Sequence, residues 1–134
     1  MTLRVIIVDD NAAMREVLRS VVEDLGAEIV AEADNGQAAI KQAELYHPEL
    51  LLLDITMPGM GGFPVARYLH AHAPQINIIF VSQHNQHTYV EEAFEAGARG
   101  YVLKNSLVDD LGPAIETVMN GGTFVSPKIN TYAT

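Results

Sequence analysis

Apolar and polar positions alternate along the chain in blocks. Strand-like apolar runs fall at residues 3–8, 28–31, 49–53, 76–81 and 100–103. The segments between them carry a helical period. Ala13, Val17, Leu18, Val21, Val22 and Leu25 recur at three- and four-residue steps, and Ala38, Ala39, Gln42 and Leu45 do so after Asn35-Gly36. Further helices are expected over 63–72, 88–96 and 107–119. Gly26 and Gly97 stand where helix C-caps belong, and Pro48 and Pro74 follow helices they cannot continue. Five strand–helix alternations predict an α/β fold, a parallel sheet with helices on both faces. Runs 5–8, 50–53 and 78–81 are almost continuously apolar, as strands covered on both sides should be. The ending GGTFVSPKINTYAT is rich in Gly, Thr and Ser and reads as a tail or the start of a linker. The expected division is a domain over 1–121 and a tail over 122–134.

Composition narrows the class. A chain of 134 residues suffices for one domain with a real core. There are no cysteines, which excludes disulfides and thiolate metal sites and fits a reducing compartment, so a cytoplasmic location is expected. No basic region followed by a long apolar stretch opens the chain, and no apolar run approaches the ~20 residues that span a bilayer. No membrane partner is expected. With a net charge of −9, the chain lacks the clustered Lys and Arg that bind nucleic acid.

The polar residues at the strand ends carry the chemistry. The first strand runs into Asp9-Asp10, the third into Asp54, the fourth into Ser82 and the fifth into Lys104. Ligands of open α/β sheets bind beyond the carboxyl ends of the strands, at the switch point. A flavodoxin-like order, 2-1-3-4-5, makes those four strands consecutive neighbours. Three carboxylates within about 5 Å repel by roughly 3 kcal/mol per pair at an effective dielectric near 20, more than one lysine balances. An oxygen-only ligand set with open positions suits Mg²⁺. Lys104 and Ser82 would then receive phosphoryl oxygens, with the central carboxylate as nucleophile.

In VDDN, LLLDITMPGMGG, FVSQHN and AFEAGARGYVLKNS, the chain resembles the receiver domain of bacterial two-component response regulators, over residues 4 to about 127. The run GARGYVLKNSLVDDLGPAIETVMNGGTFVSP is most similar to the LuxR-type, nitrate-regulator-like subfamily. The resemblance implies that Asp54 accepts phosphate from a phosphohistidine on a histidine kinase or phosphotransfer protein. Asp9, Asp10, Asp54 and the Thr56 backbone carbonyl would hold Mg²⁺. Ser82 and Lys104 would bind phosphoryl oxygens, Tyr101 would be an aromatic switch turning inward, and Pro58-Gly59 would shape the loop after Asp54. It also implies a signalling phosphoacceptor that catalyses its own phosphorylation and dephosphorylation rather than an ordinary enzyme. A homodimer would form through the fourth helix, fifth strand and fifth helix, or through the first and fifth helices, with Arg99 and Asp109-Asp110 as exposed contacts. DNA would be reached only through a helix-turn-helix output domain outside this chain.

The chain departs from the family pattern at Gln83, where a small residue is usual. Thr56, Gln83 and His84 are the positions expected to tune rates. Lys104-Asn105 replaces the frequent Lys-Pro, so no cis bond is expected. Taken singly, Asp9-Asp10 could cap a helix, Ser82 could bond its own backbone and Tyr101 could be an ordinary strand aromatic. Two other functional classes fit less well. A flavin binder wants a Gly/Ser/Thr-rich loop after the first strand, and an aspartyl-phosphate phosphatase of the haloacid dehalogenase type wants D-x-D at its end. A stand-alone or phosphate-independent receiver acting as an interaction module is the alternative function.

Overall fold

The computed structural model describes residues 2–130. Its strands are β1 (Arg4–Val8), β2 (Glu28–Ala33), β3 (Leu50–Leu53), β4 (Asn77–Ser82), β5 (Gly100–Leu103) and β6 (Phe124–Val125). Its helices are α1 (Ala12–Asp24), α2 (Gly36–Tyr46), α3 (Gly62–His72), α4 (His87–Glu95), α5 (Leu107–Met119) and α6 (Pro127–Asn130). A single 3₁₀ turn, Lys104–Ser106, joins β5 to α5. All pairings are parallel, in the order β2-β1-β3-β4-β5-β6.

Strand periodicity sorts the core into two layers. Val5, Ile7, Leu50, Leu52, Ile79, Val81 and Val102 pack with Leu18 and Val22 of α1 and Leu111, Ala114 and Val118 of α5. Ile6, Val8, Leu51, Leu53, Ile78, Phe80, Tyr101 and Leu103 face the other way, against α2, α3 and α4. Both layers are full, so the central strands see almost no water. Truncating a residue such as Leu52 to Ala would cost ~2–5 kcal/mol. Asn11 and Asn35 cap α1 and α2, accepting from Met14 N–H at 3.0 Å and Ala38 N–H at 2.9 Å. Gly26 and Gly97 follow their helices with φ of 83° and 104°, as expected for C-caps.

Three expectations are corrected. The sheet has a sixth strand. Part of the stretch expected as a tail lies along β5, where Phe124 pairs with Gly100 and Val125 with Tyr101, and Ile129 is fully buried. Residues 131–134 lie outside the described residues. The short Gly- and Thr-flanked strand has little apolar pattern of its own and is held by its neighbour instead. Second, Leu45 is 69% exposed. The inward positions of α2 are Gly36, Ala39 and Ala43, and a residue two beyond Ala43 points roughly 200° away from it. Val17 and Leu25 also flank the α1 stripe rather than fill it, at 44% and 49% exposure. Third, Asp110 is not a free surface contact: it accepts a 2.7 Å hydrogen bond from the Ser126 hydroxyl. Arg99 and Asp109 are exposed, as expected.

Candidate functional site

Register brings the acids together. Val8 of β1 lies beside Leu53 of β3, so the next residues, Asp9 and Asp54, leave the sheet side by side. The Asp54 N–H closes the ladder on the Val8 carbonyl at 3.0 Å. Ser82 pairs with Leu103 across β4 and β5, so Lys104 leaves one strand further over. The strand order reverses between β1 and β3, which is where an open parallel sheet forms a crevice. Gly62 lets α3 start against this corner. A Cβ there would overlap the Asp54 carbonyl oxygen and lie 2.9 Å from the Phe80 ring.

Asp9 is 1% exposed and Asp54 7%, while Asp10 is exposed. One carboxylate oxygen from each can be chosen so that all three lie within 4.8 Å of one another. Lys104 Nζ sits between the two buried acids, 2.9 Å from Asp9 Oδ2 and 3.2 Å from Asp54 Oδ2. The outer oxygens are held by backbone. Asp9 Oδ1 accepts Asn11 N–H at 2.8 Å, and Asp54 Oδ1 accepts Ile55 N–H at 2.8 Å. Asp9 Oδ2 is buried with no directed hydrogen bond: Lys104 is close enough for ion pairing, but its angle is poor. Burial raises the Asp54 carboxyl above the ordinary carboxylate range. Asp9 pushes the same way, and Lys104 opposes both. Lys104 is itself raised: burial lowers it, but the close approach of Asp9 and the charges of both carboxylates outweigh that.

A cleft of about 240 Å³ opens above these groups, lined by Asp10, Asn11, Asp54, Thr56, Gln83, His84 and Lys104. Thr56 and His84 close it from opposite loops, with Thr56 Oγ1 3.5 Å from His84 Nε2. Gln83 stands on its exposed wall. Ser82 is fully buried behind the lining, its Oγ accepting the His84 N–H at 3.0 Å. Tyr101 is fully buried as well and donates its hydroxyl to the His84 carbonyl at 2.8 Å. The ring therefore occupies the inward position. Burial pushes its phenol up to about 12, helped by Tyr89 and Asp54 and only partly offset by the Ser82 hydroxyl. The His84 ring stacks on Tyr89, with centroids 4.1 Å apart. The Lys104–Asn105 peptide is trans.

The sequence reading missed three contributors. Asn11 lines the cleft while capping α1. Arg15 donates to the Asp9 carbonyl at 2.7 Å and so braces the acid loop from α1. Its spacing, four residues after the cap, was the available signal. Ser126 contacts the Lys104 turn from the far end of the chain, and no local pattern announces it. A second cavity, about 230 Å³, lies between α2 and α3, lined by Tyr68, Leu69, Ile76 and neighbours. It holds no comparable acid cluster.

The donor set suits a hard cation. It offers three carboxylates, a buried oxygen lacking a directed hydrogen bond, and an open cleft for further oxygens. The sequence profile of the response regulator receiver domain matches residues 5–116. The chain belongs to that family. Receiver domains are signalling phosphoacceptors, generally not ordinary enzymes, that bind Mg²⁺ at an acidic pocket and interact with histidine kinases or phosphotransfer proteins. The chemotaxis protein CheY of Bacillus subtilis is 35% identical over 90% of this chain and 100% of its own length. The transcriptional regulatory protein DegU of Brevibacillus brevis is 33% identical over 95% of this chain, which spans only 54% of DegU. Among solved structures, a LuxR-family response regulator from Aurantimonas sp. superposes with a TM-score of 0.92 at 33% identity, covering 98% of this chain and 94% of that one. The receiver matches the flavodoxin-like fold expected from its sequence, with one strand added. Among the described residues no helix is long and apolar enough to cross a membrane.

Proposed function

We propose that this receiver domain takes a phosphoryl group on Asp54 from the phosphohistidine of a partner kinase or phosphotransfer protein. The observation that carries this reading is the sharing of one lysine by two buried carboxylates at the crevice of the sheet. A carboxylate oxygen of Asp54 forms the new P–O bond. The P–N bond to the donor imidazole breaks, and its electron pair leaves with the imidazole. Lys104 would pair with a phosphoryl oxygen, and Ser82, whose oxygen accepts the His84 N–H, would donate its hydroxyl to another. Asp9, Asp10, Asp54 and the Thr56 carbonyl would hold Mg²⁺. Bound there, the ion supplies positive charge against the crowded carboxylates and the incoming phosphoryl oxygens.

Tyr101 links the site to the surface. Its hydroxyl sits on His84, whose own N–H sits on Ser82. Drawing Ser82 toward a phosphoryl group shifts this chain of bonds and favours the inward ring, moving an existing equilibrium of the α4–β5–α5 face. That face, or α1 with α5, then binds a second receiver or an output domain. The LuxR-type neighbour and the greater length of DegU support a transcriptional output through a helix-turn-helix domain outside this chain, in the cytoplasm. CheY, a relative matched over its whole length, supports the alternative of a stand-alone receiver that signals by protein contacts.

The test is intact mass after incubation with a small phosphodonor and Mg²⁺. The wild type should gain one phosphate; Asp54→Asn, or wild type with a chelator, should gain none. A phosphate on Asp54→Asn, or none on the wild type, would refute the assignment.

A further inference from the structure

The segment after α5 reaches the site through one hydroxyl. β6 continues the ladder on the outer edge of β5 for two rungs, Phe124 N–H to the Arg99 carbonyl at 3.0 Å and Ser126 N–H to the Tyr101 carbonyl at 2.9 Å. The next edge group is the Leu103 N–H. By then the chain has turned into α6, and the donor is met by Ser126 Oγ at 2.9 Å. That hydroxyl spends its own proton on Asp110 Oδ2, 2.7 Å away in the first turn of α5. Ser126 is fully buried, so both bonds are shielded from water.

Leu103 and Asp110 are the two sides of the turn that carries Lys104. One side chain from the end of the chain therefore staples that turn shut. Lys104 must reach both Asp9 and Asp54 from it, at 2.9 and 3.2 Å. A lysine stem has many rotamers, so its aim depends on how firmly its backbone is fixed. We propose that Ser126 is a positioning residue for Lys104, setting where the ammonium meets the incoming phosphoryl group. The proposal rests on the phosphoacceptor reading above. It also gives the segment leaving the domain a bonded connection to the site.

The experiment uses the full 134-residue chain as wild type, Ser126→Ala and Asp110→Ala. Two quantities are read: the rate of phosphate uptake from acetyl phosphate by intact mass, and the affinity for Mg²⁺ from thermal shift. Mg²⁺ affinity is set by the three carboxylates, on which Lys104 acts through its charge, so a change in the aim of the lysine should move it far less than the rate. Ser126→Ala should slow uptake about tenfold, within the ~100-fold that an ångström-scale misplacement costs, with a much smaller change in Mg²⁺ affinity. Asp110→Ala, which frees one side of the staple, should slow it less. Should Ser126→Ala not fold, Asp110→Ala is judged by the same split. Wild-type rates in the folded variants, or equal loss of rate and Mg²⁺ affinity, would overturn the proposal. Absence of any uptake by the wild type would instead remove the phosphoacceptor reading, and this inference with it.

Discussion

Two three-residue charge clusters sit within a few residues of each other at the same end of the sheet, and they are opposites. On β2, Glu32 meets two arginines: Arg19 in a two-bond fork at 2.8 and 2.9 Å, and Arg15 at 3.4 Å. Both Glu32 oxygens are satisfied, and the side chains keep 21 to 38% exposure. Just beyond β1, β3 and β5, Lys104 alone meets Asp9 and Asp54, which are nearly buried, with Asp10 close by. The first cluster has cations in excess and water to screen it. The second has anions in excess and little water. Excess buried charge of one sign is poor for stability, and the proposed function accounts for it as a place for an incoming cation and phosphoryl group. The first cluster serves the scaffold, for Arg15 also holds the Asp9 carbonyl.

Breaking the second cluster should have the largest effect. Lys104→Ala leaves two buried carboxylates without their shared cation. Phosphate uptake should fall by ~100-fold or more, as when a transition-state donor is removed. Stability should fall by about 3 kcal/mol in urea, the lower end for a broken buried pair because the lysine keeps some exposure. Equal uptake in variant and wild type would contradict the role of Lys104.

Filling the cluster should stabilise it. Mg²⁺ at a hundred times its dissociation constant should add about 2.7 kcal/mol to wild type. Asp10 is exposed, so Asp10→Asn should fold normally yet lose most of that gain. A melting curve of Asp10→Asn that still responds fully to Mg²⁺ would move the ion elsewhere.

Relieving the cluster should have a smaller effect of the opposite sign. Asp54 has a raised folded-state pKa, so its contribution to stability is whole below its unfolded pKa and is lost as pH rises through the folded value. Near neutral pH its charge therefore opposes folding. Asp54→Asn should be more stable than wild type by about 1 kcal/mol there, the expected trade of stability for function. The two should converge in acid below the ordinary carboxylate range. An Asp54→Asn protein that is less stable at neutral pH would make Asp54 a structural residue. Glu32→Gln should matter least. Its effect should fade with added salt, as for exposed pairs, and a salt-independent loss would show that the β2 cluster is more than scaffold.

Much of this was legible in the sequence, for physical reasons that differ by element. Continuous apolar runs such as Leu50–Leu53, set in a strand–helix alternation, read as doubly covered strands, and the polar residue ending each parallel strand then sits at one end of the sheet. Asp9, Asp10, Asp54, Ser82 and Lys104 therefore group together on sequence grounds alone. What stayed hidden depends on contacts remote in sequence. β6 is strand only because β5 offers it an edge, so its Gly/Thr/Ser surroundings read as linker. Ser126 bonds Leu103, 23 residues away. The exposure of Leu45 turned on the helix's rotation about its axis, which Ala39 and Ala43 set and which small alanines signal weakly. The inward place of Tyr101 rests on a backbone carbonyl, that of His84, and sequence carries no sign of where a carbonyl points.

In the function proposed, Asp54 within the overloaded cluster receives the phosphoryl group. Its most direct test is to phosphorylate the wild type with a small donor and Mg²⁺, trap the acyl phosphate by borohydride reduction, and map the modified peptide. A single modified residue, Asp54, is expected. Modification at Asp9, at Asp10 or at a histidine would contradict it.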